Sequence, residues 1–183
     1  MSFKKFPEIE RLGHEDNKEI LAFNEDIIVI EEKVDGGNFS MWIDEDNSIH
    51  FGSRNRDLTS DKDTKIFSKF QVWLRNHINI LQKENINLNP DYIYYLEVLQ
   101  VHTLKYVNPP HFIGLDIRLR HSRIEDNYGL FISRDAKELE FQRLRIPTVP
   151  LIWRGTAKEL KNMDINSLIG ESRIENWKGD LIL

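Results

Sequence analysis

The sequence contains no cysteine. Disulfides, thiolate zinc sites and cysteine nucleophiles are therefore excluded, and the composition suits a reducing interior. No apolar run approaches the ~18 residues of a membrane-spanning helix, so no membrane association is expected. The opening Met-Ser-Phe-Lys-Lys-Phe-Pro-Glu lacks the apolar stretch of a secretory signal, and a cytoplasmic location is expected. Positive charge is not in excess: 25 Lys and Arg stand against 30 Asp and Glu, for a net charge of -5. A protein that coats nucleic acid by bulk charge is basic, so any such contact here must come from a narrow strip or from further parts. The 6 prolines are scattered and mark no linker. There is no repeat, no phosphate-binding Gly-x-x-x-x-Gly-Lys, no Gly-x-Gly-x-x-Gly and no Gly-x-Ser-x-Gly. His14, His50, His77, His102, His111 and His121 include no pair at metal-ligand spacing.

What is present suits one globular domain over residues 1–183: 40% of residues are hydrophobic and 30% charged. Residues 26–34, rich in β-branched side chains, predict a strand, and Asp35-Gly36-Gly37 signals a turn. Residues 38–43 and 48–53 flank a polar stretch and predict a hairpin. Ile66, Phe67, Phe70, Trp73, Leu74, Ile78 and Leu81 recur at helical steps, which predicts a helix over about 63–83 capped by Asp61 or Asp63. Strands are expected over 91–99, 111–117, 128–132 and 149–153. Helices are expected over 134–144, capped by Ser133, and over 157–162, opened by Thr156. The pattern is α+β, with mostly antiparallel β-sheets and flanking helices.

The chemistry concentrates in Glu31-Glu32-Lys33-Val34-Asp35-Gly36-Gly37-Asn38. A lysine ends a strand and a glycine turn follows at once. Strand alternation places Glu31, Lys33 and Asp35 on one face. A lysine amine in such a place can act as a nucleophile, and the two glycines let backbone amides approach a phosphate. Lys-x-Asp-Gly alone arises by composition in roughly one chain in twenty-five of this length, so it does not decide the matter. Ser53-Arg54-Asn55-Arg56 offers a guanidinium to a ribose or phosphate, against a plain surface pair. Glu97 interrupts an apolar strand, either facing a cleft or lying on a solvent face. Asp116 repeats the pattern and reads as a buried salt-bridge partner. Arg118, Arg120, His121 and Arg123 form either a phosphate-contacting cluster or a solvated loop.

In order, Glu-x-Lys-x-Asp-Gly-x-Asn, Ser-Arg-x-Arg, Leu-Glu-Val and Gly-Leu-Asp-Ile resemble the covalent nucleotidyltransferases, which include ATP-dependent DNA and RNA ligases and mRNA capping enzymes. Asn38, Ser53-Arg54, the lead-in Phe-Pro-Glu-Ile-Glu and Arg-Ile-Pro-Thr-Val-Pro are similar to the RNA ligase branch. The resemblance implies the adenylation-domain fold of the ATP-grasp-like ligase type. It implies ATP and Mg²⁺ or Mn²⁺ as cofactors, and as partner an RNA with 5′-phosphate and 3′-hydroxyl ends, with DNA as the alternative. It implies Lys33 as the nucleophile that takes AMP, Glu31 and Glu32 beside the nucleotide, and Asp35 and Asn38 supporting the lysine and the metal. It also implies Arg54 and Glu97 at the ribose and phosphate.

Two departures stand out. The family's adenine-stacking aromatic corresponds to Leu115, which gives apolar contact without a π-face. Phe112, three residues earlier, is expected on the opposite strand face. The family's later Glu-Gly and Lys-x-Lys motifs correspond at most to Lys178-Gly179-Asp180, so the chain is expected to stop short of them. The competing readings are a catalytically impaired module that binds nucleotides or RNA ends, and DNA ligase or capping-type nucleotidyl transfer. The oligomeric state is left open.

Overall fold

The computed structural model describes residues 3–58, 67–99, 104, 106, 109–120 and 130–174. Among these residues, six strands form two antiparallel sheets. The small sheet pairs β1 (Ile27–Glu31) with β6 (Leu151–Thr156), from Ile27 opposite Thr156 to Glu31 opposite Leu151. The large sheet has β2 (Gly37–Ile43), β3 (Ile49–Ser53), β4 (Tyr92–Val98) and β5 (Phe112–Leu119), in the order β3-β2-β4-β5. The expected hairpin is β2–β3. Asn47 adopts φ 63° in its turn, a conformation that asparagine tolerates well.

The large sheet has two chemically distinct faces because alternate side chains point to opposite sides. Phe39, Met41, Tyr94, Leu96 and Ile117 join the main core with Phe70, Leu74, Ile78 and Leu81 of α1 (Ser68–Lys83). Burying each such side chain stabilises the fold by roughly 1.5–3 kcal/mol. Phe141 of α2 (Arg134–Arg143) completes this core by filling the space beside Gly114, where a Cβ would come within 2.6 Å of its ring. The other face carries Asn38, Ser40 and Trp42 on β2, opposite Glu97, Tyr95 and Ile93 on β4 across the strand order. Phe3 and Phe6 of the N-terminal segment cover part of that face, and the Tyr95 hydroxyl donates to the Lys4 carbonyl at 3.0 Å.

The helix ends follow local chemistry. Ser133 accepts from the Ala136 amide at 3.3 Å and caps α2. Thr156 and Glu159 form a capping box at α3 (Ala157–Lys161). Asp61 and Asp63, expected to cap α1, lie outside the described residues, as do His121, Arg123 and Lys178-Gly179-Asp180. Of the strand expected over 128–132, the described part contributes a single bridge, Phe131 to Arg118.

Asp35-Gly36-Gly37, expected as a turn, is the crossing that carries the chain from the small sheet to the large one, because β1 pairs with β6 while β2 pairs with β3 and β4. Two expectations are corrected. Strand alternation does not run from Glu31 to Asp35, because β1 ends at Glu31 after a register irregularity at Ile30/Glu31. Arg118 and Arg120 do not form a loop cluster. Arg118 is buried against the Tyr95 hydroxyl, and Arg120 pairs with Asp44 at 2.5 Å.

Candidate active site

The site forms where the chain leaves β1 and enters β2. Val34 anchors the crossing by packing with Leu99, Ile113, Val149 and Ile174. Lys33, just before it, is exposed. Asp35, just after it, donates its amide to the Tyr106 hydroxyl at 2.8 Å, and its Oδ2 accepts from the Leu104 amide at 2.9 Å. Gly36 lies so close to β4 that a Cβ would sit 2.5 Å from the Val98 carbonyl oxygen and 2.9 Å from Glu97 Cγ. Only glycine brings the backbone this near.

Glu97 is the electrostatic centre of this end of the sheet. Burial pushes its carboxyl up to about 7, and the Asp35 charge pushes the same way. The Gly36 amide, Arg54 and Lys33 act in the opposite direction. Lys33, Asp35, Gly36 and Arg54 therefore all act on one carboxyl. Arg54 follows β3, is exposed and lies 3.9 Å from Glu8. Asn38 stands directly opposite Glu97 in the β2–β4 register. Its Oδ1 is buried and has no hydrogen-bond partner among the described residues. A buried acceptor left unpaired is costly, and a site that awaits a polar ligand explains it.

Glu31 and Leu115 form a second, adjoining group. Both Glu31 oxygens accept from Lys137 Nζ at 2.9 Å, and Arg134 also donates to Glu31. Lys137 reaches the Leu115 carbonyl at 2.8 Å. Leu115 packs against two apolar clusters, one around Ile113 and one around Trp42 and Tyr95. Phe112 is on the opposite face as expected, edge-on to Trp73 at 4.6 Å. Asp116 lies beside this group; burial raises its carboxyl to about 6, while the Lys137 charge lowers it.

Glu32 faces elsewhere. Its carboxylate accepts from the Ser172 hydroxyl and from the Arg173 amide, the latter at 2.8 Å. It thus fastens the segment that delivers Ile174 to Val34. Sequence reasoning missed Arg134 and Lys137. Their three-residue spacing on a helix was a visible sign that both share one face.

Among the described residues, no three His, Asp or Glu side chains gather to hold a metal ion. Mg²⁺ on a nucleotide commonly keeps several waters and takes only one or two carboxylates. Asp35 and the orphaned Asn38 oxygen fit that kind of ion.

A family model described as RNA ligase matches residues 26–179. The chain belongs to the RNA ligase family. Solved structures agree on the fold of this RNA ligase family member. An archaeal ATP-dependent RNA ligase is 15% identical with a TM-score of 0.54, covering 87% of this chain and 40% of that one. An apo mutant of Naegleria gruberi RNA ligase is 16% identical with a TM-score of 0.62, covering 96% of this chain and 50% of that one. Another mutant of the Naegleria enzyme, solved with ATP and Mn, is 16% identical with a TM-score of 0.59, covering 89% and 48%. The chain thus spans half or less of the length of these ligases. Among curated protein sequences none matches. Among the described residues, no helix is long and apolar enough to cross a membrane.

Proposed function

We propose that this chain performs the nucleotidyl-transfer chemistry of ATP-dependent RNA ligation. The observation that carries the reading is the convergence of Lys33, Asp35, Asn38, Arg54 and Glu97 around a glycine crossing that only a bare backbone can make. The Lys33 amine, having lost its proton, attacks the α-phosphorus of ATP. A P–N bond forms, the bond to pyrophosphate breaks, and pyrophosphate leaves with its electron pair. AMP then passes to the 5′-phosphate of an RNA end, and a 3′-hydroxyl displaces it to seal the strand.

Such transfers depend on in-line placement and charge neutralisation more than on acid–base groups. Arg54 is assigned to the ribose and phosphate, and Glu97 to the ribose hydroxyls. Glu97 can serve there because a carboxyl at about 7 accepts hydrogen bonds when ionised and donates one when protonated. Asp35 and Asn38 would hold a divalent cation through its waters, and the cation supplies charge neutralisation on the phosphate oxygens. Leu115 gives the base an apolar wall and Glu31 borders it. Glu32 is assigned to holding the 172–174 segment. Naegleria gruberi RNA ligase has been solved with ATP and Mn, with AMP and Mn, and with PPi, which supports the same ligand classes here.

Intact-mass spectrometry after incubation with ATP and Mg²⁺ or Mn²⁺ tests the reading. A gain of one AMP on the native chain, absent from Lys33→Ala, is expected. Labelled Lys33→Ala protein would overturn the assignment. Chase of the labelled protein with nicked RNA and nicked DNA duplexes then identifies the strand that is sealed.

A further inference from the structure

Lys137 is 3% exposed, an unusual place for an ammonium group. All three of its donors are used: on Glu31 Oε1 and Oε2 at 2.9 Å each, and on the Leu115 carbonyl at 2.8 Å. The acceptors belong to different sheets. Glu31 ends β1 of the small sheet, and Leu115 is the residue that the β5 bulge leaves unpaired between Gly114 and Asp116. Backbone contacts hold the sheets together beside the bulge: the Gly114 amide donates to the Pro147 carbonyl at 2.7 Å and the Val149 amide to the Gly114 carbonyl at 3.1 Å, just before β6 begins. The Glu31 carboxylate itself is placed by side chains, Arg134 and Lys137.

Neutralising Glu31 does not require Lys137. Arg134, one turn earlier on α2, already donates to Glu31 and to the Val149 carbonyl. Nor does α2 need Lys137 to dock, since Phe141 is fully buried against Gly114. What Lys137 adds is the reach from Glu31 to the bulge. At the other end of the site, Lys33 and Arg54 put positive charge beside Glu97, which suits phosphates and ribose. The Leu115 end is apolar on two sides, which suits a base.

We propose that Lys137 is a positioning residue for nucleotide recognition: by tying the Glu31 carboxylate to the Leu115 carbonyl it fixes that carboxylate against the apolar wall of the slot that receives the base. This rests on the nucleotidyl-transfer reading above. Lys137 touches no reacting atom, so its loss is expected to weaken nucleotide binding while sparing the chemical step.

The test compares the native chain with Lys137→Met and with Lys137→Arg. Arg134 still pairs with Glu31 in both, which protects folding, and Lys137→Arg keeps donors toward both acceptors and should recover part of the binding lost in Lys137→Met. Calorimetry with a non-hydrolysable ATP analogue and Mg²⁺ measures affinity. Intact-mass labelling across ATP concentrations separates half-saturation from the rate at saturation. The expected result for Lys137→Met is about tenfold weaker analogue binding and a matching rise in half-saturating ATP. The rate at saturation and the final labelled fraction stay near native. Native-like binding by the folded Lys137→Met protein overturns the Lys137 inference alone. So does a reduced labelled fraction at unchanged half-saturation, which marks a merely structural role. A native chain that neither binds the analogue nor labels overturns the nucleotidyl-transfer reading, and this inference with it.

Discussion

Asn38 and Glu97 face each other across the β2–β4 pairing, one with a buried oxygen that lacks a partner and the other with a carboxyl raised to about 7. Neither arrangement favours the folded chain by itself, and both suit a site that receives hydroxyls and a hydrated cation. Asn38→Leu should therefore leave stability unchanged or raise it by about 1 kcal/mol, because an unpaired buried acceptor is removed. The same variant should lose AMP transfer. Urea denaturation and intact-mass labelling measured together decide the point. A large loss of stability would place Asn38 in the framework rather than at a ligand.

Glu97 should also leave a mark on the pH dependence of stability. Its folded value lies above the ordinary 4.5, so the folded state holds the proton more tightly than the unfolded state over the window from 4.5 to about 7. The stability that this preference contributes is complete below 4.5 and is lost as pH rises through about 7. Glu97→Gln does not titrate. Its melting temperature should match the native value at about pH 4 to 5 and exceed it at about pH 8. Asp116, raised to about 6 by burial, titrates in both proteins and cancels in the difference. An offset that is constant with pH would rule out a raised Glu97.

Gly36→Ala tests the close approach of the crossing to β4. The new methyl would meet the Val98 carbonyl at 2.5 Å, and that carbonyl belongs to a paired strand. Overpacking of this kind costs about 1–3 kcal/mol. A lowered urea midpoint with an unchanged slope is expected, together with loss of AMP labelling because Lys33 and Asp35 shift with the backbone. Native-like stability would show that the crossing can move aside.

What was legible in the sequence had short range. Alternation marked the β2–β3 hairpin, Ser133 and Thr156 marked helix starts, and the order of Lys33, Asn38, Arg54 and Glu97 pointed to the candidate site. What was hidden depended on distant pairing. Nothing near Glu32 reveals that its carboxylate meets Ser172, 140 residues away. The pairing of β1 with β6 has the same character, and it makes the Asp35-Gly36-Gly37 turn a crossing between sheets. Lys137 was hidden for another reason. On a mostly polar helix it reads as solvated, and only the fold shows that its face of α2 is closed over Glu31.

Arg54 separates surface electrostatics from function. Its contact with Glu8 at 3.9 Å joins two exposed side chains, and such pairs contribute little to stability. Arg54→Ala should leave the melting temperature close to native while reducing AMP transfer by about tenfold or more, the scale of losing one charge-assisted contact to a phosphate. Glu8→Ala serves as the control and should change neither. If both substitutions lower the melting temperature equally and transfer persists, Arg54 is a structural partner of Glu8.

Leu115→Phe addresses the base end. Leu115 is partly buried between two apolar clusters, and its carbonyl is held by Lys137. A phenyl ring placed there keeps the apolar contact and adds a π-face, which contributes about 0.5–1.5 kcal/mol to an aromatic pair. ATP affinity should rise by the corresponding factor, roughly two- to tenfold. Calorimetry on Leu115→Phe, with Leu115→Ala as the opposite change, measures it. Alanine should weaken binding by removing the wall. A ring that leaves affinity unchanged while alanine also has no effect would move the base away from Leu115, and with it the slot beside Lys137.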